Sequence, residues 1–540
     1  MKNFILALLL SLTCAMGNNI TIQHNAKKLV NGSQAINVTL SNTGKSAIPD
    51  LRKSPLPVTS EIVSDIIDLN DTNNTGIADE IIITEILMTA ESAIDKSKST
   101  IKLCLRSGNS YFTQSGWSEW LCSEKLTLKE KKPGGRYIQY RILLTAQNSE
   151  TLPSVSSINI NAAYKLKNKP FKNQLQINSF HNEKYIQSAV PFTFEKPFYE
   201  PYAELIRKLG YDTVWYKGKN EIERFVSLNA AVARTPNPDH SGWDDYPFDA
   251  RKICSYVDTT MTIKGHCMSY AAVLVAAFTS FGKYARHWAV NGFRNADHEV
   301  VEVWSDSLRK WIYLDPSLSQ YYLDSKTKIP MSILEQHNTY VNLILKDGET
   351  LSDFSVDSLK ERMKAIGGGK IASILCIDSG WHYGKQVDPA TYDWGWYHSY
   401  LADGFMRLTT RTNFASQPEP SFKSFGAGLK DNIFMQWVDS KTPPKTKDIT
   451  LFTERERDLW PTLNQAFFKA TRTGEDVIEL ELGNSQPFFN HYLISINGKT
   501  ERLTTSSYTW KLAKGENVFK IVPVDENKRN GIASLISVIY

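Results

Sequence analysis

Three side chains pose the chemical question: Cys267, His298 and Asp315, met in that order between Gly265 and Tyr322. A thiol can attack a carbonyl, an imidazole can take the thiol's proton, and a carboxylate can fix the imidazole's tautomer and direction. Each residue alone has a plainer use. A buried cysteine packs as a small hydrophobe, a histidine can end a strand, and an aspartate before proline forms turns. It is their combination with the elements around them that points to acyl transfer.

Positioning falls to a helix and a strand pair. Residues 268–281 repeat apolar side chains at helical spacing, with Val273, Leu274, Ala277, Phe278 and Phe281 on one broad face. Gly265 breaks the chain ahead of that run, which places Cys267 in the first helical turn. Unsatisfied backbone N–H groups and the positive end of the helix dipole favour an anion there, first a thiolate and then an oxyanion. His298 leads into the alternating strand Glu299-Val300-Val301-Glu302-Val303-Trp304, and Leu308 to Ser317 forms the partner strand after a turn at Ser305 to Ser307. Adjacent antiparallel strands can hold an imidazole and a carboxylate side by side. Asp315 then accepts one ring N–H of His298 while the other nitrogen serves Cys267.

With these residues in place, the stretch resembles the transglutaminase-like family, relatives of papain-fold cysteine proteases. The family pattern is G-x-C-x-x-Y-A, then aromatic-or-Leu-G-x-x-A-R, H-x-x-x-E-V and W-x-x-x-D-P. This chain has Gly265 to Ala271, Phe281 to Arg286, His298 to Val303 and Trp311 to Pro316 in that order. The resemblance implies a papain-like α+β core with Cys267 as nucleophile, His298 as base and Asp315 as orienter. It makes Arg286 and Glu302 structural supports and requires no cofactor. Val300 stands where many relatives carry an aromatic, which predicts a differently shaped wall beside His298.

The rest of the 540 residues must supply more than one core, since domains run to roughly 100–200 residues. Lys2, the apolar run from Phe4 to Leu12 and the small residues Ala15 and Gly17 read as a signal peptide cut after Gly17. Lipidation at Cys14 is the alternative, and Leu12 suits it poorly. No later stretch is apolar for long enough to span a bilayer. The net charge of +5 arises from 62 basic against 57 acidic residues, which gives no argument for nucleic acid. Five cysteines remain after the signal, an odd number that leaves at least one free thiol. Cys104 and Cys122 flank a turn-rich segment and form the candidate bridge, while Cys254 and Cys376 are either paired or buried.

The flanks read as β modules. Residues 18–165 alternate in short runs separated by turns, as in a β-sandwich. Within them Gly135 to Ile160 resembles the closing strands of galactose-binding-like jelly rolls. Asp71, Asn73, Gly76 and Asp79 match calcium-loop spacing, but Thr75 and Ile82 depart from it, so a plain turn is the expectation. Residues 166–345 hold the catalytic core, with helices expected near 199–209, 221–232, 248–256 and 331–342. Residues 346–450 form a mixed, β-rich connection. Its Trp381, Trp394, Trp396, Tyr397 and Tyr400 suit either packing between domains or stacking on sugar. Residues 451–540 read as an immunoglobulin-like sandwich with turns at Asn497-Gly498, Lys514-Gly515 and Asn530-Gly531.

The sequence therefore predicts an exported, multidomain protein: an α+β transglutaminase-like core flanked by all-β sandwich domains. Its expected chemistry is thiol-dependent hydrolysis or acyl transfer at amide bonds of a peptide, protein or glycopeptide, with a thioester intermediate. Two alternatives remain: a surface-binding protein around an idle scaffold, possible carbohydrate contact coming from the β modules, and a glycan-amide hydrolase.

Overall fold

The computed structural model describes residues 18–540 except 52–55, 71–75, 96, 114, 132, 169, 189, 240–248, 292–296, 366–372, 389–405, 410, 413–415, 417–433, 440 and 443–450. The signal segment, Cys14, positions 71–75 of the calcium-like loop, and Trp394, Trp396, Tyr397 and Tyr400 lie outside the described residues. Strand outweighs helix, 45% to 18%, and it is distributed over several sheets, as a multidomain chain requires.

The N-terminal region closes a pair of six-stranded sheets over one core. Alternation explains the packing: along Tyr137–Ala146 the side chains of Ile138, Tyr140, Ile142 and Leu144 are fully buried between the sheets. Gln139, on the opposite face, is also covered, where it accepts from Arg106 and donates to the Ser64 carbonyl. Cys104 and Cys122 face each other on neighbouring strands and are disulfide-bonded, whereas Cys254 and Cys376 are free thiols.

The central region is built on a six-stranded sheet in the order Lys310–Leu314, Asp297–Ser305, Ala285–Asn291, Met406–Thr409, Phe434–Trp437, Leu451–Thr453. All its pairings are antiparallel except the last, which is parallel. The Cys267–Ser280 helix is apolar on every side and every one of its residues is buried. One side packs on Val301, Val303, Ile312 and Leu314 of the sheet, and the other meets the helices Glu200–Lys208, Tyr211–Lys217 and Glu221–Arg234. Trp215 seals that layer by stacking on Phe281 at 4.5 Å.

The helix expected over 248–256 is cut short. Among the described residues of that span only Ala250–Ile253 is helical, and Cys254–Val257 turns back as a strand against Thr260–Ile263, with Asp258 at φ 53° in the turn. Strand-favouring Thr260 and Thr262 and the hairpin's own hydrogen bonds outweigh the weak helical periodicity there.

The C-terminal region has facing sheets, and each takes a strand from far upstream. Gln176–His181 pairs with Ser534–Ile539, and Ile77–Asp79 lies parallel to Ala470–Arg472. Among the described residues no helix is long and apolar enough to cross a membrane.

Candidate active site

Gly265, at φ 95°, makes the turn that delivers the chain to the helix start, a conformation an L side chain would strain. The turn is tied down from outside: the Asn237 amide donates to the Gly265 carbonyl at 2.8 Å, and Gly265 N–H donates to the Asp239 carbonyl at 3.0 Å. His266 is the N-cap in extended conformation, so Cys267 is the first helical residue. Its side chain is buried, with the residue only 7% exposed. The first-turn amides of a helix have no acceptor within the helix, so the end that carries the thiol also offers N–H donors.

His298 comes from the next-but-one strand. Val301 pairs with Leu314, which sets Asp315 beside Val300 and diagonal to His298 at the end of the sheet. His298 Nε2 and Asp315 Oδ2 are 2.6 Å apart, with both residues buried, at 6% and 1% exposure. The other oxygen of Asp315 accepts three hydrogen bonds: Ser317 N–H at 3.0 Å, Ser317 Oγ–H at 2.7 Å and Leu318 N–H at 3.1 Å. Its backbone is closed into a loop by reciprocal bonds with Gln320. With Oδ1 saturated and the backbone pinned, Oδ2 has one direction left, toward the imidazole.

Because Nε2 is engaged by Asp315, Nδ1 is the ring nitrogen left for the thiol, and Cys267 hydrogen-bonds His298. Burial alone would push the His298 pKa down, but the Asp315 carboxylate and the Cys267 sulfur outweigh it and hold His298 well above its ordinary range. Burial would likewise raise the Asp315 carboxyl, and the adjacent His298 with the Ser317 and Leu318 bonds brings it below its ordinary value. The arrangement therefore favours the charged form of both the imidazole and the carboxylate beside the thiol.

Behind the strands, Glu302 has no exposed surface and gathers five donors. Arg286 meets it at 2.7 Å, Trp288 Nε1 at 2.7 Å, Trp460 Nε1 at 3.1 Å and Ile333 N–H at 2.8 Å, with Arg286 Nε adding a longer bond at 3.2 Å. The Arg286 guanidinium lies 3.8 Å from the centre of the Trp311 ring. Desolvation brings Arg286 down to about 10 against the pull of Glu302. Arg286 and Glu302 thus stiffen the strand that carries His298 and do not face the thiol's chemistry.

Several supporting residues escape sequence reasoning. Asn237 sits in a polar connector with no periodicity. His382 and Asp378 form a second buried pair, 2.9 Å apart, and Gln320 joins it to the Asp315 loop through a 3.2 Å bond to Asp378. Ser317 could have been found, since serine after Asp-Pro is a turn-forming signal. Trp381 is half-buried on a two-residue strand beside this pair.

No protein-family profile matches the chain, and no curated protein matches it. Among solved structures it is similar to a protein described as a candidate cysteine protease from Cytophaga hutchinsonii, at 12% identity and TM-score 0.17, covering 55% of this chain and 78% of that one. It is similar to red sea bream transglutaminase at 8% identity and TM-score 0.16, covering 89% and 95%. A glycosylation-associate protein complex from Streptococcus agalactiae follows at 9% identity and TM-score 0.12, covering 30% and 51%. Likenesses at these scores carry no argument, so any functional conclusion rests on the geometry of Cys267, His298 and Asp315.

Proposed function

We propose that this protein is an exported, transglutaminase-like cysteine enzyme that cleaves or transfers acyl groups at amide bonds of peptides or proteins. The observation that carries the reading is the buried 2.6 Å contact of His298 with Asp315, made while His298 also hydrogen-bonds the thiol at the helix start. In the proposed reaction Cys267 sulfur attacks the amide carbonyl, and the resulting oxyanion is met by first-turn N–H groups. The C–N bond breaks as the His298 imidazolium gives its proton to the leaving amine, leaving a thioester. Water or a second amine then attacks the thioester, His298 takes the attacking group's proton, and the thiolate leaves. Asp315 keeps the ring oriented and compensates its charge throughout. The catalytic core is assigned to the region 166–345 without Gln176–His181, together with the strands Met406–Thr409, Phe434–Trp437 and Leu451–Thr453 of the same sheet, and the flanking sandwiches to 18–165 and to the C-terminal region that Gln176–His181 joins, with residues 1–17 removed on export.

The test is alkylation by iodoacetamide at pH 6, resolved by peptide mass spectrometry, on wild type and His298→Ala. The proposal expects Cys267 to label at least about tenfold faster in wild type, because the imidazolium stabilises the reacting thiolate. Equal rates in the two proteins would remove the reading.

A further inference from the structure

A second feature lies away from the thiol, where the N-terminal sheets meet the segments around Lys184–Ser188 and Arg455–Arg457. An open cleft of about 650 Å³ occupies this junction. That is within the roughly 300–1,000 Å³ typical of small-molecule sites. Arg455 lines it and is only 3% exposed. Its Nε and Nη1 are buried with no hydrogen-bond partner among the described residues. Its ion pair with Asp458 is long, 3.8 Å from Nε to Oδ2, and that oxygen already accepts the Thr453 hydroxyl at 2.8 Å. A guanidinium carries five donors, and leaving buried ones unused is costly unless something else accepts from them.

The charges around it favour an anion. Of the two acids that line the cleft among the described residues, Asp65 is held by Arg457, and Asp68 is held by Arg136 at 2.9 Å and Lys469 at 3.4 Å. Lys28 and Lys184 also line the cleft and are exposed at its surface. The paired acids leave Lys28 and Lys184 as a cationic surplus, Arg455 adds unused donors beside its long pair with Asp458, and the Tyr164 and Tyr185 rings supply flat apolar surface.

We propose that this cleft binds a small organic molecule bearing a carboxylate or phosphate group, with the Arg455 guanidinium donating to its oxygens and Lys28 and Lys184 flanking it. A planar fork of donors suits both groups, since each offers two oxygens at matching spacing. The site is separate from the proposed catalytic chemistry and stands or falls without it.

The experiment titrates the full chain by calorimetry with glucuronate, glycerol 3-phosphate and neutral glucose. At least one acid should bind and glucose should not, and which acid binds more tightly identifies the carboxylate or the phosphate source. Arg455→Gln should weaken that binding by at least tenfold. Lys28→Ala with Lys184→Ala, both at exposed positions, should weaken it less and reduce its dependence on salt. Failure of both acids to bind wild type, equal binding of glucose, or acid binding that neither variant changes would each overturn the proposal. If Arg455→Gln does not fold, the wild-type titrations and the lysine variant decide the question.

Discussion

Asp315 points one oxygen at His298 Nε2 across 2.6 Å while its other oxygen is held by Ser317 and Leu318, so the imidazole's direction is set by a carboxylate that cannot rotate away. A carboxylate held in this way should act through orientation as well as charge. Asp315→Ala is therefore expected to slow Cys267-dependent turnover or acyl-enzyme formation by on the order of 10²- to 10⁴-fold, and Asp315→Asn by a similar factor, because Ser317 and Leu318 claim its amide oxygen and turn its NH2 toward the ring, which forces the wrong tautomer. Intact-mass detection of the acyl-enzyme under single-turnover conditions reads this. An Asp315→Asn variant that keeps most of the wild-type rate would mean that neither the charge nor the tautomer it sets contributes.

The same pair makes stability depend on pH. The folded His298 pKa lies above its ordinary 6.5, so its contribution is complete below that value and fades as pH rises through the raised one. The folded Asp315 pKa lies below its ordinary 3.8, so its contribution is present above that value and fades as pH falls through the lowered one. The pair thus stabilises most between about pH 4 and 6.5. Urea midpoints of wild type and Asp315→Asn should differ most near pH 5 and converge toward alkaline pH. A gap that stays constant across the range would contradict this linkage.

Glu302 gives the largest expected stability effect. Glu302→Ala leaves the buried Arg286 cation without its partner and should cost about 3–5 kcal/mol, whereas replacing Arg286 and Glu302 together by Met and Leu should cost much less. Tryptophan fluorescence follows the unfolding directly, because Trp288 and Trp460 both donate to this carboxylate. Similar losses in the single and double variants would show that packing outweighs the ion pair.

The three free thiols among the described residues should separate under alkylation. Burial pushes Cys254 up to about 12, with Asp249 adding to the effect, and burial also raises Cys376 despite a bond from Tyr322. Both should label only after unfolding, while Cys267 labels in the native protein. Cys104 and Cys122 should stay unlabelled until reduced, and reduction should cost the N-terminal sandwich about 3 kcal/mol for a loop of this size. Native labelling of Cys254 at a rate near that of Cys267 would count against the packing around it.

Much of the site is legible in the chain because it is local. The Cys267 helix, the His298 strand and the Asp315 turn are each written by apolar spacing and a glycine or proline boundary, and the expected helices at 199–209 and 221–232 appear as Glu200–Lys208 and Glu221–Arg234. The helices Tyr211–Lys217 and Val356–Ala365 are not expected from the sequence, the first because Gly210 and Gly218 bound a very short run. Non-local features leave no periodic trace. The three residues Ile77–Asp79 are too few to show alternation, and their strand is defined by a partner near residue 471. The His382–Asp378 pair and the Asn237 tie depend on where connectors cross, which spacing does not encode.

The borrowed strands of the C-terminal sheets have a consequence for how the chain is made. Ser110 accompanies Ile77–Asp79 across to that region of the molecule, and its hydroxyl donates to Glu481, 371 positions later. As the polypeptide emerges from the ribosome, Ile77–Asp79 has no partner until Ala470–Arg472 is synthesised, and Gln176–His181 has none until Ser534–Ile539 follows. Exposed strand edges recruit other chains, so nascent or C-terminally truncated protein should aggregate. Once made, the strand Ser534–Ile539 acts as a clasp, holding Gln176–His181 on one side and Glu516–Ile521 on the other.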